Sequence, residues 1–284
     1  MPSEFAHYQF GCEMLESFPA PVAEAARARL DLYNIGQHGP DILFFYKALT
    51  RNAVKERGYA QHEKPASDFF AAAKNVYLHS ENQAASLAYL LGFLCHFALD
   101  SVCHGSIENK IRVSGVSHTE IESEFERYLL CKAGKNPIRE KLVRHICPTK
   151  ENAAVIAPFF EGVTAEQVYK ALRSVVTDCN LLRAPCVLKR ALILAAFRIS
   201  GHYDSLGHRM IPKKPNPVCA DSCLRLEKLM NRAKTFCLEI TENYLGYLRG
   251  ENALSPAFSA TFGPSEGWQD IPVLSLEEEK RFEV

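Results

Sequence analysis

The chain has 284 residues, of which 47% are hydrophobic and 23% charged, a composition typical of a globular protein with a large core. Disordered, collagen-like and fibrous proteins are excluded. Lysine and arginine number 33, as do aspartate and glutamate, so the formal net charge is zero. Bulk charge therefore does not attract nucleic acid or anionic lipid over long range, and any polyanion must be bound locally.

The first residues contain no basic cluster followed by an apolar run, so we expect no secretory signal and a cytoplasmic protein. The longest apolar stretches, residues 87 to 95 and 191 to 197, are shorter than the roughly 18 to 20 residues that span a bilayer. We therefore expect a soluble chain with no transmembrane segment. The ten cysteines are then predicted to be reduced thiols, and the Cys219 and Cys223 pair is not expected to bind metal.

Apolar residues recur at helical spacing along the whole chain, which predicts an all-α multi-helix bundle. The predicted helices lie near residues 22–34, 41–50, 64–78, 82–104, 118–131, 151–161, 165–177, 185–199 and 221–248. Residues 212 to 217 form a proline-rich connector, and the segment after residue 250 carries Pro, Ser, Gly and an acidic run. We predict one all-α domain over residues 1–250 and a solvated C-terminal tail over 251–284.

The segment from residue 84 to 104 is apolar nearly all the way round, which indicates a buried helix. Ser80 and Gln83 have the spacing of a capping box at its start. This helix contains His96, Asp100 and His104, four residues apart, so their side chains share one face. A buried carboxylate is strongly disfavoured unless it is paired or binds a metal, and these groups must therefore have partners.

A second helix is predicted to begin at His118, because Ser117 and Glu120 again have capping-box spacing. Glu122 lies one turn later on the same face as His118.

Gly105 and Gly115 allow the second helix to return antiparallel to the first, so that His104 meets His118. His104, His118 and Glu122 then form a set of two nitrogen ligands and one oxygen ligand. Three protein ligands are typical of a hydrolytic zinc site with an open position.

His96 and Asp100 lie about 6 Å further back along the helix axis and are predicted to belong to a separate site. Candidate ligands for it lie upstream, at Asp41 after a Gly-Pro turn, at His62 and at His7.

Taken in order, these residues resemble the zinc-dependent phospholipase C family, over roughly residues 5 to 130. The resemblance implies an all-α fold and hydrolysis of a phosphodiester by metals that bind phosphate and activate water. It also implies three sets of zinc ligands: Asp41, His62, His96 and Asp100; His7 with a bridging Asp100; and His104, His118 and Glu122.

Our hypothesis is a metal-dependent hydrolase of phosphate esters, with diesters preferred, whose partner is a small phosphate ester or a phospholipid head group. Asp41 is the predicted catalytic residue, accepting a proton from water. We expect two or three zinc ions, and the nitrogen and oxygen donors also allow Mn or Fe. Secreted members of the family use a processed N-terminal residue as a further zinc ligand, and we expect no such processing in this chain. Binding of the ion assigned to His7 and Asp100 therefore depends on a ligand that this chain is not expected to provide.

Two alternatives remain at this stage. The same metals could serve a nuclease or phosphomonoesterase, although no basic stripe with interleaved aromatic residues predicts stable nucleic-acid binding. The metals could also stabilise a non-catalytic binding protein. Ferritin-like and His-Asp phosphohydrolase sites are disfavoured, since Glu-x-x-His occurs once and a His-Asp dipeptide is absent from the sequence. We predict His38 to be a solvated loop residue, and the remaining histidines to be structural or exposed.

Overall fold

The computed structural model describes residues 4–284, apart from the side chains of residues 204 and 205. Every regular element in this range is helical, which confirms the all-α prediction. The α-helices are α1 (Glu4–Ser17), α2 (Ala20–Ala28), α3 (Leu30–Gly36), α4 (Ala53–Glu63), α5 (Ala66–Leu78), α6 (Gln83–Ser114), α7 (His118–Lys132), α8 (Lys150–Ile156), α9 (Ala165–Leu182), α10 (Val187–Ile199), α11 (Tyr203–Leu206), α12 (Ala220–Arg249) and α13 (Leu276–Glu279). Short 3₁₀ helices cover Gly39–Phe45, Ala157–Phe159, Gly207–Arg209, Pro217–Cys219, Pro256–Ser259 and Trp268–Asp270.

Helix α6 lies at the centre of the fold, with α1, α2, α3 and α12 packed around it. Its packing against α3 is unusually close, because a glycine lies on each side of the contact. A Cβ atom on Gly36 would lie 2.2 Å from the carbonyl oxygen of Tyr89, and one on Gly92 would lie 2.1 Å from that of Tyr33. Any side chain at either position would therefore push the two backbones apart, and α3 leads directly into the turn that carries Asp41.

Helix α6 is long and apolar enough to cross a membrane, the one such helix among the described residues. Within the fold, however, 83% of its most apolar window is buried. Core helices of soluble proteins pass the same test of length and composition, so this helix is weak support for a membrane span.

Both ends of α6 differ from the prediction. The N-cap is Asn82, whose side chain accepts a hydrogen bond from the Ala85 amide, whereas Ser80 bonds the Asn82 amide and the Ser86 hydroxyl instead. The helix also continues ten residues past His104 and ends at Ser114, with Gly115 as its left-handed cap.

Contacts with distant segments stabilise the part of α6 that continues beyond His104. Gly105 does not end it, because Trp268 and Ile271 of the C-terminal segment pack where a side chain would project. The side-chain amide of Asn109 donates to the Ile271 carbonyl, and Lys110 Nζ lies 2.8 Å from both Asp221 carboxylate oxygens.

Three further predictions of local structure were wrong. Helices α1 and α4 were missed, because α1 buries the polar residues Glu4 and His7 and α4 buries only Val54 and Gly58, so neither has a continuous apolar stripe. The segment predicted as a helix over 41–50 is a 3₁₀ helix that ends at Phe45 and is followed by turns. A positive φ of 46° at Lys47 prevents a regular helix from continuing there.

The C-terminal segment is not a solvated tail. Phe258 and Phe262 are fully buried in the core, beside α5 and α6. Glu279 of the acidic run is also buried, with its carboxylate 2.7 Å from Arg225 and 2.9 Å from Lys228 of α12. Apolar side chains and one paired carboxylate therefore fix this segment to the body, and the boundary at residue 250 stays a prediction.

All ten cysteines, which lie within the described range, are free thiols. Five of them are buried, including Cys219 and Cys223 at the start of α12, where burial raises the pKa of each thiol to about 12. Neither of these two belongs to the ligand clusters found among the described residues.

Candidate metal centre

One line of polar side chains runs along the buried helix α6. His96, Asp100, His104 and Glu108 follow one another at intervals of four residues and therefore lie on one helix face. The first three are at most 4% exposed. Other elements bring the remaining predicted ligands to this line, and the structure divides the result into two clusters that share α6.

The inner cluster consists of His7, Asp41, His62, His96 and Asp100. Asp100 lies at its middle. Its Oδ1 is 3.2 Å from His7 Nε2, and its Oδ2 is 3.2 Å from His96 Nε2 and 3.8 Å from His62 Nε2. The same Oδ2 is 3.8 Å from His104 Nδ1, so this carboxylate also links the inner cluster to the outer one.

Four elements supply the inner cluster. His7 comes from α1, Asp41 from the 3₁₀ helix after α3, His62 from the last turn of α4, and His96 and Asp100 from α6. His62 Nε2 lies 3.0 Å from Asp41 Oδ1. The rings of His7 and His96 stack with their centroids 4.5 Å apart, so candidate ligands far apart in sequence pack directly on one another.

The turn that carries Asp41 is fixed by the packing of Gly39 against His96. Gly39 has a φ of 48° and lies against the imidazole of His96, where a Cβ atom would be 2.2 Å from Cδ2. Any side chain there would be strained and would displace His96.

We predicted His38, just before this turn, to be a solvated loop residue, and this prediction was wrong. His38 is buried, and its ring bonds that of His145. The two Nε2 atoms are 2.7 Å apart, so one ring donates and the other accepts. Tyr8 of α1 stacks on His145 with the centroids 3.9 Å apart. Burial lowers the pKa of His145 to about 3 and lowers that of His38 as well, so both rings of the His38–His145 pair are neutral at pH 7.

The outer cluster consists of His104, His118 and Glu122. The α6–α7 hairpin brings it together as the sequence predicts: Ser117 caps α7, and the rings of His104 and His118 lie 5.3 Å apart. His118 Nε2 is 3.2 Å from Glu122 Oε1, and its Nδ1 is 3.0 Å from Glu108 Oε1. The His118 side chain is 24% exposed, so this cluster is open to solvent.

The tautomers of three histidines suit metal binding. His62 Nδ1 donates to the Gly58 carbonyl at 2.8 Å, and His104 Nδ1 donates to the Asp100 carbonyl at 3.0 Å. His118 Nδ1 is engaged by the Glu108 carboxylate in the same way. In each case the Nε2 atom is left as a ligand, which is the usual arrangement for a histidine oriented by a neighbouring acceptor.

Several buried polar atoms in the clusters have no aligned hydrogen bond to any described residue. They include both ring nitrogens of His96, Oδ2 of Asp100 and Oε2 of Glu122. His96 Nε2 and Asp100 Oδ2 are only 3.2 Å apart, yet they do not point at each other. Tetrahedral zinc with bonds of about 2.0 to 2.1 Å places neighbouring ligand atoms about 3.3 Å apart, so these contacts fit a shared ion.

The electrostatics separate carboxylates from imidazoles. Burial would raise the pKa of Asp100, but the neighbouring histidines, His96 first among them, hold it well below its usual range. Burial lowers the pKa of His96 and His104. His118 differs: burial opposes its protonation, but Glu122 and Glu108 raise its pKa to about 10. Ionised Asp100 beside neutral His96 and His104 is the kind of donor set that zinc prefers, whereas His118 and His7, whose pKa is also raised, would each release a proton when a metal binds.

All eight predicted ligands thus lie in one of the two clusters, and their role as ligands stays a prediction. Sequence reasoning missed Glu108, because the helix was expected to end at His104. The four-residue series continuing from His96 was the available signal. It also missed Phe262, whose ring packs 5.8 Å from His62 and 5.9 Å from His96, and for which no local pattern existed.

The fold and the clusters define a class: an all-helical protein whose central buried helix gathers imidazoles and carboxylates into a candidate multinuclear metal centre. The family model described as zinc dependent phospholipase C matches residues 7–173, more than half of the chain and a range that contains all eight predicted ligands. The chain therefore belongs to the zinc-dependent phospholipase C family. No curated protein and no solved structure matches it.

Proposed function

We propose that the protein is a zinc-dependent hydrolase of phosphate esters, acting on a phosphodiester of the phospholipid head-group class. The observation that carries this proposal is the convergence of eight nitrogen and oxygen donors into two clusters linked by Asp100. Membership of the zinc-dependent phospholipase C family supports the hydrolytic chemistry.

We assign the residues of the two clusters the following roles. The inner and outer clusters would hold zinc, which in hydrolytic sites polarises phosphoryl oxygens and lowers the pKa of bound water to about 7. Asp41, 3.0 Å from His62, is the carboxylate that we propose accepts a proton from the attacking water. Glu108 keeps His118 in the orientation that directs Nε2 toward Glu122.

A cavity of about 310 Å³, whose lining contains none of the eight candidate ligands, is the proposed entrance for substrate. Its wall includes Phe44, whose ring stacks on His62 with the centroids 5.4 Å apart and on Tyr59 at 4.5 Å. The lining also includes the cations Arg51, Lys55 and Arg209 and the anion Glu56. This excess of positive charge is suited to the negative charge of a phosphate ester.

We also propose a cytoplasmic location. The ten free thiols support it, since reducing compartments keep cysteines unpaired. Fractionation of cells that express a tagged copy tests this proposal, and a tagged copy found only in the secreted fraction would contradict it.

Metal content and a substrate panel test the function. Elemental mass spectrometry of the purified protein is expected to find two or three zinc ions per chain, and hydrolysis is expected for phosphatidylcholine vesicles ahead of an oligonucleotide and nitrophenyl phosphate. Preference for the oligonucleotide or the monoester would support the nuclease or phosphomonoesterase alternative. Bound zinc with no hydrolysis of any of the three would support a non-catalytic zinc-stabilised protein.

A pair of histidine variants makes the metal measurement specific. His118→Ala is expected to remove one ion, that of the outer cluster, and to leave the inner ions bound. His79→Ala is the matched control, because His79 is exposed and its Nδ1 bonds only the Asn75 carbonyl of its own helix. Equal zinc content in both variants would contradict the assignment of His118.

A further inference from the structure

Helix α10 presents an apolar face to solvent. None of its residues is fully buried, although it contains seven large apolar or aromatic side chains. Leu188 is 67% exposed, Leu192 62% and Ile199 88%. At about 100° per residue these three side chains fall within an arc of about 40°, so they form one stripe along the outer face. An exposed apolar stripe of this kind is a candidate interaction surface.

The opposite face attaches α10 to the body. Lys189 Nζ donates to the carbonyls of Asn180 and Arg183 at 3.2 and 2.9 Å. Arg190 donates to the carbonyls of Met210 and Ile211 at 3.2 and 3.0 Å. The outer stripe is therefore held facing away from the protein, and turning the helix inward would break these four bonds.

The charge around the stripe has one sign. Residues 179 to 203, between Asp178 and Asp204, contain four lysines and arginines and no aspartate or glutamate, in a chain whose net charge is zero. Two of these cations, Lys189 and Arg190, belong to the attached face. Arg198 flanks the stripe at an exposed position.

We propose that the outer face of α10 is a docking surface for an anionic phospholipid membrane. A helix with exposed leucine and isoleucine on one face and flanking cations binds at the lipid interface through apolar burial and attraction to anionic head groups. Docking of a second copy is disfavoured, because it would bring two regions of the same positive charge together without acidic residues from this segment to offset them.

The position of α10 fits this role. The chain leaving α10 supplies His202, Leu206 and Arg209 to the wall of the cavity that is the proposed substrate entrance. A membrane bound by α10 would thus contact the protein next to the proposed substrate entrance. The docking proposal goes beyond the proposed hydrolysis and does not require it, since membrane binding can be measured without turnover.

Co-sedimentation with vesicles tests the proposal. The metal-loaded full chain is expected to bind vesicles of phosphatidylcholine mixed with phosphatidylglycerol more tightly than vesicles of phosphatidylcholine alone, and raised salt should weaken the binding. The triple variant Leu188→Ser, Leu192→Ser and Ile199→Ser is expected to weaken binding by about tenfold or more. All three side chains are exposed, so the variant should keep its fold, which circular dichroism checks.

Exposed apolar side chains elsewhere provide the matched control. Leu30→Ser, Leu78→Ser and Val113→Ser, at 43%, 46% and 59% exposure, should leave vesicle binding unchanged. Equal loss in both triple variants, or no binding to either vesicle, would overturn the proposal. A dimer in sedimentation velocity that the α10 variant abolishes would overturn it in favour of self-association. Vesicle binding without hydrolysis of any substrate would refute the proposed function alone.

Discussion

The inner and outer clusters have the same kinds of candidate ligand but are assembled differently. The outer cluster comes from two consecutive helices, and its His118 is 24% exposed. The inner cluster draws on four elements spread over residues 7 to 100, and the most exposed of its side chains, His62, reaches only 14%. The outer cluster therefore depends on one hairpin, whereas the inner cluster depends on the whole fold.

This difference predicts how each cluster responds to change. Substitutions in the core should weaken metal binding in the inner cluster more than in the outer one. The candidate ligands of the inner cluster are positioned by α1, the Asp41 turn and α4 together. The outer cluster should respond chiefly to residues of α6 and α7. Asp100 is the exception, since it contacts ligands of both clusters.

Replacing the shared carboxylate should have the largest effect. Asp100→Asn removes the charge that faces four histidines, and we expect loss of the inner zinc together with a fall in hydrolysis of about a thousandfold or more. Zinc content and initial rates measure both effects, with His79→Ala as control. A variant with full metal and full activity would exclude Asp100 as a ligand.

The C-terminal segment gives the next test. Phe262→Ala should lower the free energy of unfolding by about 3 to 5 kcal/mol, because a fully buried phenylalanine leaves a cavity. It should also weaken zinc binding in the inner cluster, since Phe262 packs on His62 and His96.

Phe258→Ala separates these two effects. Phe258 is equally buried but packs on Phe70, Phe97 and Tyr244, away from the ligands. Urea unfolding should show a similar loss of stability, while a zinc titration should show unchanged affinity of the inner cluster. Equal loss of zinc affinity in both variants would mean that Phe262 acts through global stability only.

Glu108→Gln tests the outer cluster. Loss of the carboxylate that orients His118 should weaken zinc binding there by about 10- to 100-fold and leave the inner ions in place. Glu120→Gln on α7 is the control, because Glu120 bonds Asn216 and contacts His208 and belongs to neither cluster. Competition with a chelator measures the affinities, and identical curves for wild type and Glu108→Gln would remove Glu108 from the site.

The smallest effect concerns the pH dependence of stability and the His38–His145 pair, which lies just before the Asp41 turn in sequence. Burial lowers the pKa of His145 from 6.5 to about 3, so the folded protein keeps this ring neutral where the unfolded chain protonates it. Its contribution to stability is therefore present above pH 6.5 and is lost as the pH falls toward 3, by at most about 1.4 kcal/mol per pH unit.

His145→Phe keeps the stacking on Tyr8 but removes both the titrating group and the bond to His38. Free energies of unfolding at pH 7 and pH 5 should differ less in this variant than in wild type. If the two differences are equal, His145 titrates normally and the pair does not brace the turn through a neutral hydrogen bond.

The outer cluster shows how much local sequence can predict. Helical spacing placed His118 and Glu122 on one face, a serine cap fixed the start of α7, and a short connection forced the hairpin. The error in the same region has an equally local cause. Gly105 suggests a helix end, but Trp268 and Ile271 cover it from 160 or so residues away, and so Glu108 was missed.

The sequence by itself determined the helical class, the buried nature of α6 and the chemistry of the eight candidate ligands, because residue type and spacing over one or two turns decide these properties. Only the tertiary structure decided that His7 lies on a helix and stacks on His96, and that His38 is buried against His145. It also decided that Phe262 of the C-terminal segment packs on the inner cluster and that α10 turns its apolar face outward. Contacts between distant segments select these features, and they leave no periodic signal in the chain.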